Sequence, residues 1–263
     1  MMIHRPAIRL PAPLFAYYIG LIGLLYLPIG ILFLFSFNDN VVLVFPLKGL
    51  TFRWYADLLQ SPEVLRAARN SLYVALGSST VATILGTSVA VLLTRFTGRM
   101  RIVLAVLALL PLIVPLIVLA VALFLLFITL DINRSLWTVG AGHSIIALPY
   151  VLLIVAARLA GFSPVLEEAA MDLGADYPTT LRRIVLPIVF PAVVSAWLVA
   201  FTVSLDEFAL ALFLAGTDPT FPVYLFSQLR FASRLPVMIA LAVIMMLATL
   251  SLTFFAERIR RRS

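Results

Sequence analysis

Six stretches of this chain contain no Asp, Glu, Lys or Arg: Leu14 to Phe37, Ser71 to Thr94, Ile102 to Leu130, Thr138 to Ala157, Ile184 to Leu205 and Leu235 to Ala256. Each reaches the length of about 20 residues that a helix needs to cross a ~30 Å hydrocarbon core at ~1.5 Å per residue. The pattern predicts an all-α membrane protein with six transmembrane helices. The first stretch is too long for a signal peptide, and Phe35-Ser36-Phe37 is not a small-residue cleavage site, so it is expected to be an uncleaved anchor.

Composition supports the same class. Charged residues are 12% of the 263, against roughly 25% in ordinary soluble domains, and the mean hydropathy is +1.13. With no cysteine and two histidines, His4 and His143, the chain lacks the residues for disulfides, thiolate chemistry or a histidine metal cluster. The formal charge of +7 does not point to nucleic acid, because the arginines lie in short tufts between apolar runs instead of on one basic face.

Those tufts set an orientation. With an even number of spans both termini share a side, and twelve basic residues fall there against seven on the other. The bias predicts cytoplasmic termini. The expected organisation is a cytoplasmic tail (1–13), one membrane domain (14–257) and a basic cytoplasmic tail (258–263). The outer loops are then Asn38 to Asn70, Thr129 to Trp137 and Asp206 to Arg234. In the first of these, TFRWYADLL and SPEVLRAARN mix aromatic and charged residues as an interfacial helix would. Pro111, Pro115, Pro187 and Pro191 fall within spans, where each frees a carbonyl that a neighbour must satisfy.

One internal segment breaks the apolar pattern. Between Arg158 and Arg183 lie seven charges, which at the bilayer centre would together cost on the order of 20 kcal/mol, so the segment is expected in the cytoplasm between spans four and five. Ser163 is placed to cap a helix with Pro164 at its first position, and Gly174 is suited to a left-handed residue just past its end. On that helix Leu166, Ala169, Ala170 and Leu173 form a stripe at i, i+3, i+4 and i+7, with Glu168 and Asp172 on its flank. A helix this short is marginal alone. Its stripe either docks a soluble partner or packs against the membrane face or the chain's own spans.

Glu168-Ala169-Ala170, three residues, Gly174, nine residues and Ile184-Val185-Leu186-Pro187 resemble the EAA loop of the membrane subunits of binding-protein-dependent ABC importers. The resemblance implies a short cytoplasmic coupling helix docked on an ATPase. It implies coupling roles for Leu166, Glu167, Glu168, Ala169, Ala170, Asp172, Leu173, Gly174, Ile184, Leu186 and Pro187. Further stretches, among them SFND from Ser36, FPLKGLTFRWY from Phe45, NSLYVAL from Asn70, SLDEF from Ser204 and YLFSQLR from Tyr224, are similar to the C-type spermidine/putrescine permease branch, which also includes permeases for opines, phosphonates and other small solutes.

The only lysine, Lys48, precedes Gly49, so no phosphate-binding GxxxxGK[ST] loop exists and the chain itself is expected to bind no cofactor. The resemblance implies ATP and Mg on two separate ATPase subunits, a second permease that is homologous rather than identical, a periplasmic binding protein, and a multi-pass location in the bacterial inner membrane. For a cationic solute, Asp39, Asp206, Glu207 and Phe208 are the candidate pathway residues, with Asp131 a weaker one. Two rival readings differ in class. An intramembrane hydrolase would assemble a dyad from His143 and Ser144, or use Ser78 and Ser79; an ion-coupled secondary transporter would place ionisable groups within its spans, where the sequence predicts none.

Overall fold

The computed structural model describes residues 11–95 and 97–260; residues 1–10 of the N-terminal tail and the last three residues of the basic C-terminal tail lie outside them. Its regular elements are helices: α1 (Ala12–Phe35), α2 (Arg53–Leu59), α3 (Pro62–Arg95), α4 (Arg99–Ile113), α5 (Leu116–Thr129), α6 (Leu136–Ala160), α7 (Val165–Asp172), α8 (Tyr177–Thr180), α9 (Leu186–Asp206), α10 (Ala209–Leu214), α11 (Phe221–Gln228) and α12 (Leu235–Arg260). A π-helical turn, Leu181–Val185, joins α8 to α9, and a 3-10 turn, Ala232–Arg234, precedes α12. Among the described residues five helices are long and apolar enough to cross a membrane, or six if the bent pair α4 and α5 is one span.

Three sequence expectations change. The third span is broken: Pro115 holds Val114 extended (φ −75°, ψ 129°), and α5 leaves α4 at 110°. The second span begins before its apolar run, because SPEVLRAARN forms the first turns of α3 and not an interfacial helix, while RWYADLL does form the separate α2. A helix needs no apolar sequence to propagate past a membrane boundary, only residues of adequate propensity.

The chain divides into two compact units. Among the described residues, one contains 11–60 together with Leu229–Ile244; the other contains Ser61–Gln228 and 245–260. In the first, the segment after α1 folds on itself. Trp54 Nε1 donates to the Asn38 carbonyl (2.8 Å), Tyr55 Oη donates to Ser36 Oγ (2.7 Å), and Asn38 bridges to Leu50.

In the second unit α3, α6 and α9 cross closely. Ala82, Ala90, Ala147, Ala192, Ala196 and Ala200 are buried with Val151, Leu152, Val155 and Val189 in their common core. Lipid tails are as apolar as leucine, so membrane helices associate through close packing, which small side chains allow. A second cluster packs α10 against α5 and α6 through Leu123, Val139, Leu210 and Leu214. Thr138 Oγ1, 2.9 Å from the Leu214 carbonyl, ties the far end of α10 to α6.

Candidate functional site

The charged segment between α6 and α9 folds as a helix, a tight stop and a second helix. α7 starts at Val165 with Pro164 in the capping position and no side-chain cap; Ser163 offers only its carbonyl, to Leu166 N, so the expected Ser163 cap is one residue out of register. The stop matches expectation. Gly174 takes φ +91°, its N–H donates to the Met171 carbonyl (2.9 Å), and the Ala175 N–H donates to the Ala170 carbonyl (3.1 Å). That pair of bonds is a Schellman motif, and it needs a left-handed residue at position 174. Asp176, a cap that the sequence reading missed, accepts from the Thr179 N–H (3.0 Å) to start α8; hydrogen bonding to Thr179 holds its carboxyl below the usual carboxylate range.

The apolar stripe of α7 splits. Ala170 and Glu167 are buried, whereas Leu166, Ala169 and Leu173 are exposed, Leu173 at 90% of its surface. Glu168 and Asp172 are exposed beside them. α7 therefore anchors by one edge and presents an apolar face with a carboxylate margin. Further along, Leu186 and Pro187 are exposed and Ile184 is half-buried, while Val185 is buried against the core.

A second region joins two interrupted helices. The α4–α5 bend and the α9–α10 corner face a cavity of about 520 Å³ lined by Pro111, Leu112, Val114, Leu116, Ile146, Tyr150, Val203, Asp206, Glu207, Phe208 and Ala209. Three of the four pathway candidates, Asp206, Glu207 and Phe208, meet here. Asp39 is an exposed residue of the other unit, its N–H donating to the Gly49 carbonyl (3.1 Å). Tyr150, Pro111 and Val114 join the site without any sequence signal beyond the prolines. A larger groove, about 710 Å³, lies where α3 begins, beside Pro219 and Tyr224; its charged lining residues are Glu63, Arg66 and Arg69, and Arg66 pairs with Asp218 at 3.7 Å on the surface.

Asp206 is the last residue of α9, at the end of the fifth apolar helix, where the sequence places it. Its carboxylate accepts from Thr249 Oγ1 (3.0 Å), and Thr249 is about 17 Å of helix from the Arg260 end of the 26-residue α12. The exposed carboxylate at the end of α9 is thus held against α12. Glu207, only 8% exposed, turns away from solvent. Its Oε2 accepts from the N–H groups of Leu210 (2.9 Å) and Ala211 (3.3 Å) and lies 3.3 Å from His143 Nε2.

His143 Nδ1 is in turn 2.8 Å from Ser204 Oγ, to which Ser78 Oγ donates (2.8 Å). The dyads of the rival hydrolase reading do not form: Ser144 bonds the Gly140 carbonyl and Ser79 the Leu76 carbonyl. The order serine, histidine, carboxylate resembles a hydrolase relay. Yet Ser204 is 3% exposed in the body of α9, where the backbone N–H groups that would stabilise an oxyanion are spent on the helix.

Long apolar helices with a cavity at two helix breaks give the architecture of a membrane protein. Residues 82–263 match the family described as binding-protein-dependent transport system inner membrane component, and the chain belongs to that family. It is 36% identical over 241 residues to the spermidine/putrescine transport system permease protein PotC of Haemophilus influenzae, spanning 91% of this chain and 93% of that one. It is also 36% identical over 238 residues to the putrescine transport system permease protein PotI of Escherichia coli, spanning 87% and 84%. A probable molybdenum ABC transporter permease of Haloferax volcanii is 30% identical over 76% of this chain and 77% of its own. A bacterial alginate ABC transporter, solved in complex with an alginate pentasaccharide-bound periplasmic protein, shares the fold at a TM-score of 0.74, with 18% identity and coverage of 95% and 93%. The MetNI methionine ABC transporter in an inward-facing conformation shares it at 0.65, with 17% identity and coverage of 81% and 99%. The chain is the permease subunit of an ABC importer.

Proposed function

We propose that this permease carries a polyamine such as spermidine or putrescine across the bacterial inner membrane, and that α7 couples it to a separate ATPase that binds ATP and Mg. The observation that carries the coupling role is the exposed face of Leu166, Ala169 and Leu173, margined by Glu168 and Asp172 and closed by the Gly174 turn. The EAA spacing and the excess of basic residues on the terminal side support a cytoplasmic position for this face. The assembly contains two ATPase subunits, a homologous second permease and a periplasmic binding protein meeting the outer loops.

The polyamine reading rests on the kinship with PotC and PotI and on the chemistry of the cavity. Asp206 offers a carboxylate beside the aromatic rings of Tyr150 and Phe208, a combination suited to an ammonium group. The same carboxylate disfavours an anionic solute. ATP-dependent accumulation of radiolabelled spermidine or putrescine in vesicles containing the whole importer is the expected result. Uptake that ignores ATP and follows a proton or sodium gradient would replace this reading with an ion-coupled carrier. Asp206→Asn is expected to lower polyamine uptake about tenfold at unchanged membrane level, since a hydrogen bond to a charged group contributes ~1.5–3 kcal/mol. Asp206→Glu should retain more uptake than Asp206→Asn.

A further inference from the structure

Glu207 and Asp206 are adjacent in sequence, yet the fold uses them in opposite ways. Asp206 is exposed on the cavity, while the neighbouring carboxylate is drawn into the protein by three groups: the imidazole of His143 at 3.3 Å and the N–H groups of Leu210 and Ala211 in the first turn of α10. His143 is itself 1% exposed and is held from behind by Ser204 and Ser78. We propose that His143 is a positioning residue of the transport path, which keeps Glu207 out of the cavity so that the α9–α10 corner presents a single carboxylate, Asp206, with Phe208. This rests on the reading of the cavity as a cation pathway.

One proton arrangement fits these distances. Ser78 O–H donates to Ser204 Oγ, Ser204 O–H donates to Nδ1 of a neutral imidazole, and the Nε2–H of that ring faces the Glu207 carboxylate. The placement is inferred from the network, as hydrogens always are at such a site. The carboxylate in turn satisfies backbone donors of α10 that would otherwise be orphaned inside the bundle. α9 ends at Asp206 because Glu207 turns extended (φ −72°, ψ 122°), so the direction of the Glu207 side chain decides how the corner is set. Without the imidazole, a buried carboxylate loses its countergroup, and the nearest open space is the cavity that Glu207 already borders. Two carboxylates would then face the solute where the native site offers one.

The test reads electrostatics and not stability. Because the chain has no cysteine, Ala209→Cys places one thiol on the cavity wall. Labelling of this chain is followed in the assembled importer with a cationic and an anionic methanethiosulfonate of equal size, and the ratio of the two rates is taken. His143→Ala is expected to raise the cation-to-anion ratio several-fold, and adding Glu207→Gln is expected to return it to the starting value. A loosened but unrepositioned site would speed both reagents together and leave the ratio unchanged, which overturns the proposal. So does a ratio that rises and stays high with Glu207→Gln present. If His143→Ala does not accumulate in the membrane, Ser204→Ala carries the same test, because it removes only the hydroxyl that orients the ring; a rise of about twofold is expected, and no change overturns the inference. Asp206→Asn in the same background separates the two readings: a fall in the ratio and in polyamine uptake upholds the pathway even where the His143 variants refute positioning. No effect of Asp206→Asn on either measure overturns the pathway, and positioning with it.

Discussion

Gly174→Leu is expected to uncouple the permease, cutting ATP-driven polyamine uptake by more than tenfold while leaving the subunit in the membrane at its normal level. A Cβ at this position meets nothing within 4 Å, so crowding is not the mechanism. The effect comes from φ +91°, which an L-residue adopts at a cost of about 1–3 kcal/mol, and from the two Schellman bonds that depend on it. Losing that turn frees α8 to change direction relative to α7, and the exposed face of Leu166, Ala169 and Leu173 moves with it. Gly174→Asn, which tolerates the left-handed region, should keep most of the uptake. Glu168→Arg tests the same surface by charge: it reverses an exposed carboxylate in the first turn of α7, and the ATPase should no longer co-purify. Docking surfaces concentrate their energy in a few residues worth about 2 kcal/mol or more, roughly 30-fold in affinity. Co-purification and near-normal uptake in both variants would remove α7 from the coupling role.

How much of this was legible beforehand follows from the physics each feature obeys. The six apolar runs could be read because charge in a bilayer is expensive residue by residue, with no reference to the fold. The Gly174 stop was equally local: one residue type, one backbone conformation. The break at Val114 was not legible, because prolines occur in straight and bent spans alike and only the neighbouring helices decide which. Asp206 was placed at an outer boundary because the apolar run stops there. α9 does end there, but the hydrogen bond from Thr249, 43 positions away, left no local signal. The buried network was beyond reach for the same reason: His143 and Ser204 are 61 residues apart and Ser78 and Ser204 are 126 apart. Pairing by proximity in sequence gave His143 with Ser144 instead. A polar residue in an apolar span does announce that some partner exists, but not which one.

The same dependence on close packing makes Gly86 the most sensitive core position. A methyl group there would lie 2.8 Å from both Cβ and Cγ1 of Val151 and 3.0 Å from the Leu148 carbonyl oxygen, all on α6. Real Cβ atoms do not approach so near, and neither a β-branched Cβ nor a backbone carbonyl can swing away as a leucine tip can, so α3 and α6 must separate. The separation passes into the alanine-rich core shared with α9, where Ala82, Ala147 and Ala196 are fully buried. Overpacking of this kind costs about 1–3 kcal/mol per inserted group. Gly86→Ala is therefore expected to lower the unfolding midpoint of the detergent-solubilised importer by on the order of 5 °C, and Gly86→Leu to prevent accumulation in the membrane. Val151→Ala removes the Cγ1 contact but leaves the Cβ and the carbonyl in place. Combined with Gly86→Ala it should restore part of the lost stability and not all of it. Full stability in Gly86→Ala alone would mean that α3 and α6 are not pressed together at this crossing.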